Sequence, residues 1–204
     1  MIFNLSLEEG VLLVRLARRA AEEYILNGKR IKAQVEVPQN LKEKCGVFVT
    51  IKKDGELRGC IGFPYPTYPL VDAVIESSIN SSTEDPRFPP VKPEELDEIT
   101  FEVSILTPPR RLEVKKVSEY PSKIKVGRDG LIVKRGYYSG LLLPQVPVEW
   151  GWDEEEFLCQ CCLKAGLPPD CWLMKETEVY TFQAIIFEER SPRGEIIRKD
   201  VEEK

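Results

Sequence analysis

Histidine is missing from all 204 residues. Its absence removes the Cys–His and Ser–His–Asp arrangements that activate most nucleophiles. It also leaves any zinc site to thiolates and carboxylates alone. Methionine is nearly absent, at two residues, while Asp and Glu total 34 and Lys and Arg 29. That balance points to a thermophile, in which intracellular disulfides are a genuine option. No apolar run approaches the ~20 residues that span a bilayer. The start, MIFNLSLEEG, has neither the basic leader nor the apolar core of a signal peptide. A cytoplasmic protein with no membrane partner is expected. The formal charge of −5 argues against broad nucleic-acid binding, which needs a basic face. Local basic spots at Arg15, Arg18 and Arg19, at Arg110 and Arg111, and at Lys115 and Lys116 read as solvated faces.

What is present suits a globule with a sizeable core: 42% of residues are hydrophobic and 31% charged. Ser6 and Glu9 form a capping box ahead of an apolar series at Leu13, Leu16, Ala17, Ala20 and Tyr24, closed by Gly28. In GVFVTIKKDGELRGCIGF, Val47, Val49 and Ile51 alternate, Asp54-Gly55 marks a hairpin, and a second strand returns through Leu57. A second helix is expected from about Pro69, with Leu70, Val74, Ser78 and Ile79 inward. EITFEVSIL, at 98–106, alternates as a half-buried strand. A second hairpin is expected at Asp129-Gly130, a helix capped by Asp153 and Glu156, and one last strand over 178–189. GYYSGLLLPQVPVEWGW is too irregular for a simple element. Together these give an α+β fold, an antiparallel or mixed sheet with flanking helices. Its two halves echo each other weakly as strand, Asp-Gly turn, strand and helix, a pattern open to an old duplication. The expected domain runs over 1–190, with about 120–150 as a smaller subdomain. Residues 191–204 are expected to fray.

Chemistry concentrates in a few places. Cys60 sits in LRGCIG at the far end of a hairpin strand, where glycines permit a kink or a close approach. Without histidine, Arg58, Arg87 or a lysine would have to favour its thiolate. A small buried hydrophobe is the plainer reading. Arg58 and Cys60 share a strand face if no bulge intervenes. Asp85-Pro86-Arg87 is a rigid turn in which the carboxylate can hold the guanidinium fork, either toward an anion or as a loop-pinning ion pair. Gln145 and Glu149 follow an apolar run, so a buried amide and carboxylate are expected in a polar network or a site. In the CQCC cluster at 159–162, Phe157, Leu158, Cys161, Cys162 and Ala165 keep helical spacing, so the thiols read as core. The C-x-C-C spacing with a later Cys171 is not a pair of zinc knuckles, and no metal is expected. Whether this helix forms a disulfide to Cys171 stays open.

Five ordered blocks resemble the AMMECR-one domain family: LRGCIG at 57–62, EDPRFPPV at 84–91, FEVSIL at 101–106, GLLLPQV at 140–146, and GWDEEEFL with KAGLP at 151–168. The resemblance implies an α+β fold with a larger and a smaller domain and a cleft lined by these motifs. It also implies kinship with the first component of a set that includes Memo-like and radical SAM proteins. It supplies no reaction, and the CQCC cluster lies outside its pattern. The leading expectation is a ligand-binding domain with no cofactor, its cleft lined by Arg58, Cys60, Asp85, Arg87, Gln145 and Glu149. It would take a small anionic molecule or a peptide end and act with radical SAM and Memo-like partners. The rivals are an enzyme that uses Cys60 and a protein-interaction scaffold.

Overall fold

The computed structural model describes residues 5–33 and 37–200; the first residues of the MIFN start and the last of the charged tail lie outside them. In chain order the elements are α1 (Leu7–Asn27), β1 (Gly46–Lys53), β2 (Glu56–Phe63), α2 (Leu70–Thr83), β3 (Ile99–Leu106), β4 (Arg110–Arg111) and α3 (Tyr120–Lys123). Then come β5 (Gly130–Arg135), β6 (Tyr138–Leu142), α4 (Gln145–Trp150), α5 (Glu154–Lys164), β7 (Glu178–Phe182), β8 (Ala184–Glu189) and β9 (Ile196–Lys199). The chain divides into two compact units, a first that ends at Pro108 and resumes over Ile185–Lys199, and a second over Pro109–Ala184. The second is wider than the 120–150 stretch expected from the sequence.

The first unit is built on a sheet in the order β2-β1-β3-β8-β9. The reciprocal Ser6–Glu9 box starts α1, and Gly28, at φ 64°, ends it. Val47, Val49 and Ile51 of β1 join Phe101, Val103 and Ile105 of β3 under Leu13, Val14 and Ala17 of α1 and Leu70 and Val74 of α2. Each of these side chains larger than alanine contributes roughly 1.5–3 kcal/mol of burial. Asp54 and Gly55 take positive φ, 51° and 83°, which a two-residue hairpin of the expected kind requires.

Several expectations give way. Arg18 is not solvated but buried in the first unit. It donates Nε and Nη2 to the two carboxylate oxygens of Glu189 at 2.7 and 2.6 Å, and it reaches the Leu96 and Ile99 carbonyls. β3 is buried on both faces rather than one, with Glu102 and Ser104 inside. The residues after Arg190 do not simply fray. Ile196–Lys199 pair with β8, and Lys199 Nζ bonds Glu188 and Glu102 at 3.3 Å each.

The second unit carries a sheet in the order β4-β7-β5-β6, with Leu131, Val133 and Val179 packed against Phe157, Leu158 and Cys161. Asp129-Gly130 is not its hairpin. The Asp129 carboxylate instead accepts from the Lys125 N–H at 2.9 Å and closes a turn before β5. The β5–β6 hairpin turns at Gly136, φ 58°, inside the stretch that looked irregular. The strand–hairpin–helix pattern recurs, but the Asp-Gly echo does not. The 178–189 run splits at Gln183 into β7 and β8, which serve different sheets.

Asp153 caps α5 by accepting from the Glu156 N–H at 2.8 Å. Cys161 is core, its thiol pushed up to about 12 mainly by burial. Cys162 and Cys171 form a disulfide with a sequence separation of 9. Closing so short a loop removes about 3 kcal/mol of unfolded-state freedom. Reducing the protein, or replacing both cysteines by serine, should lower denaturant stability by about that amount, read as a fall in the unfolding midpoint.

Candidate functional site

Why LRGCIG carries two glycines is answered by its neighbours. A β-carbon built on Gly59 would overlap the Ser81 carbonyl oxygen of α2, and one on Gly62 would overlap the Val47 carbonyl. The Ser81 hydroxyl donates to the Val49 carbonyl at 2.7 Å and accepts from the Ile61 N–H at 2.8 Å, so α2 is fastened to both strands of the hairpin. Ile51 pairs with Gly59 and Lys52 with Leu57, which leaves Arg58 as the extra residue of a bulge.

That bulge corrects the expectation for Arg58. Its Nε and Nη2 grip Glu95 at 3.0 Å each, and its remaining donors reach the Pro89 and Pro90 carbonyls at 2.8 and 3.3 Å. Arg58 fastens the proline-rich loop and the turn Pro93–Glu95; it does not present its fork to an anion.

Asp85 and Arg87 do come together with Cys60. The Asp85 side chain is 2% exposed. It accepts from the Cys60 N–H at 2.9 Å, the Arg87 N–H at 3.1 Å, and Arg87 Nε and Nη2 at 2.9 and 2.7 Å. Arg87 Nη2 also donates to the Cys60 carbonyl at 3.3 Å. The Arg87 side chain stays 39% exposed, with no partner on Nη1 among the described residues. Register puts Cys60 opposite Thr50 and Thr50 opposite Glu102, so the three share the sheet face turned away from the helices. The Thr50 hydroxyl donates to Cys60 Sγ at 3.3 Å. Burial pushes the Cys60 thiol up, against the hydrogen bond from Thr50 and the nearby charge of Arg87. A raised thiol pKa opposes a standing thiolate.

The carboxylates behave oppositely. Burial works against ionisation of Asp85, but the Arg87 fork and the two backbone donors outweigh it and hold the group at about 2. The Arg58 fork, helped by the Lys92 N–H and Lys53, holds Glu95 at about 2. Folded values below the ordinary carboxylate range mean stability that is present above about pH 4–5 and lost as pH falls toward 2. Denaturant melts at about pH 5 and pH 2.5 should differ by about 1–2 kcal/mol for each carboxylate after solvent screening. Asp85→Asn with Glu95→Gln should flatten that dependence, having removed its source at a cost paid at every pH.

The family model for AMMECR1 matches residues 14–187. The chain belongs to the AMMECR1 family. A protein of Thermococcus gammatolerans is 61% identical over 203 residues, covering 97% of this chain and 98% of its own. Protein PH0010 of Pyrococcus horikoshii is 61% identical over 204 residues, with 98% of each chain covered. Its crystal structure, described as that of an uncharacterised protein, superposes at a TM-score of 0.93 over 95% of this chain and 97% of that one. These hosts are thermophiles, in keeping with the composition. No helix among the described residues is long and apolar enough to cross a membrane.

The other expected site residues of this AMMECR1 chain lie on α4 in the second unit. Gln145 is buried there, but Glu149 is exposed, because the run after Pro144 coils into a helix that turns it outward. Glu102 escaped the sequence reading. It is 2% exposed and accepts from Lys52 Nζ at 3.2 Å and Lys199 Nζ at 3.3 Å. Burial resists its ionisation, and the two ammoniums overcome that and hold its carboxyl below the usual range. Its position inside FEVSIL was the available signal, but alternation marked it as solvent-facing.

Proposed function

We propose that this AMMECR1 chain is a cytoplasmic ligand-recognition domain that takes an anionic group, from a small molecule or a peptide end, at Arg87. What supports the reading is one arrangement. Asp85 fixes the Nε–Nη2 edge of the guanidinium at 2.9 and 2.7 Å, while the side chain stays 39% exposed and Nη1 has no hydrogen-bond partner among the described residues. With the fork itself held by Asp85, the guanidinium offers its Nη1 N–H groups to a carboxylate or phosphate without first having to be ordered. The raised Cys60 thiol disfavours the nucleophile reading and suits a half-buried wall beside the guanidinium. On the resemblance described above, the partners would be radical SAM and Memo-like proteins. A pull-down of those partners from which this chain is missing would remove that part.

The test is a thermal-shift panel of small carboxylates and phosphates on the full chain. At least one should raise the melting temperature, and Arg87→Gln should abolish the rise. Arg58→Lys should lower basal stability by about 1–3 kcal/mol and leave the ligand-induced rise in place. A panel to which the chain and Arg87→Gln respond alike would remove Arg87 from the site.

A further inference from the structure

β2 is an edge strand of its sheet. Such a strand offers unpaired N–H and C=O groups to any chain that can lie beside it. Along an antiparallel ladder these groups turn alternately toward and away from the paired strand. Cys60 is turned away: its N–H reaches Asp85 Oδ2 at 2.9 Å and its carbonyl accepts from Arg87 Nη2 at 3.3 Å. The ion pair therefore stands where the C=O and N–H of a neighbouring strand would stand. Gly62, two residues on, is turned the same way. No hydrogen bond among the described residues fills its outward positions as Asp85 and Arg87 fill those of Cys60.

Resting on the reading of Arg87 above, we infer that β2 receives the C-terminal end of a peptide as an added antiparallel strand. The terminal carboxylate meets the Nη1 edge of Arg87, and Gly62 exchanges both backbone bonds with one residue upstream of that carboxylate. Direction follows from the cap. The Asp85–Arg87 pair closes the edge at Cys60, so an added strand can only occupy the stretch beside Gly62 and Phe63, with one of its ends at the pair. The positive tip of Arg87 selects the end of the peptide that carries negative charge. β2 itself runs from Cys60 to Phe63, so a peptide ending at Arg87 lies antiparallel to it, the arrangement in which one residue pairs both groups of Gly62. Beyond Gly62, Phe63 and Tyr68 meet edge to face at 5.0 Å, and Tyr65 and Tyr68 are exposed. They give apolar surface to a side chain upstream of the carboxylate.

The test uses the full chain with a library of short peptides bearing free C-termini and the same library amidated. Affinity selection should recover free-acid peptides, each weakened about tenfold or more by amidation. Arg87→Gln should abolish their capture, and Arg87→Lys, which keeps the charge without the fork, should retain part of it. Single N-methylation scanned along a selected peptide should weaken binding at one position near its C-terminus. If small carboxylates and phosphate bind through Arg87 but no peptide is selected, the anion reading stands and the strand inference falls. The inference also falls if acid and amide bind alike, or if N-methylation is tolerated throughout. Self-association of the chain that competes with peptide capture would give the edge to a second copy, and that too would overturn it.

Discussion

Arg18→Met should cost about 3–5 kcal/mol, because it strands the Glu189 carboxylate in the interior without its cation. Glu189 loses the two charge-assisted bonds at 2.7 and 2.6 Å and, among the described residues, keeps only the Phe101 N–H, at 3.1 Å. The Leu96 and Ile99 carbonyls lose their donors at the same time. At roughly 2–4 °C per kcal/mol for a chain of this size, the melting temperature should fall on the order of 10 °C. Arg18→Met with Glu189→Leu should recover much of the loss, since no charge is then left buried and unpaired. A double variant as unstable as the single one would show that the geometry of the fork, rather than its charge balance, holds α1 to β8.

The second large effect belongs to Gly59→Val. The obstacle is the Ser81 carbonyl, a backbone atom of α2, so no rotamer change relieves it. The helix or the strand must move, which should cost about 3 kcal/mol or more. Because Cys60 follows directly and its N–H anchors Asp85 at 2.9 Å, the same shift should weaken Arg87-dependent ligand binding in whatever protein remains folded. Gly55→Ala is the control. Nothing lies near its β-carbon, so only the strain of φ 83° is charged, about 1 kcal/mol. Equal losses at the two positions would refute the close approach of α2 as the reason for glycine at 59.

Local signals were the legible ones. Ser6 with Glu9, Asp54 with Gly55, and Asp153 at the start of α5 each act within a turn, and each formed as the sequence implied. The Asp85–Arg87 pair was legible for the same reason, being two residues apart around a proline. Arg58 was not, because its bulge depends on how tightly a helix some twenty residues later presses on Gly59. Alternation reported correctly that Phe101 and Glu102 face opposite ways, but it carries no information about a second covering layer. Glu102 therefore read as wet. Asp129-Gly130 has the composition of a hairpin turn, yet the carboxylate found a backbone donor at Lys125 and set the strand start one residue later.

The break at Gln183 bears on how the chain assembles during synthesis. Residues 109–184 interrupt the first unit, so β1, β2 and β3 leave the ribosome well before β8 and β9 exist. Until then β3 is a bare, apolar margin, and Arg18 has Glu22 of its own helix but not yet the buried Glu189. A nascent chain of this design stays adhesive until its last tenth arrives, which makes the tail strand the closing step of biogenesis and early truncation a route to aggregates.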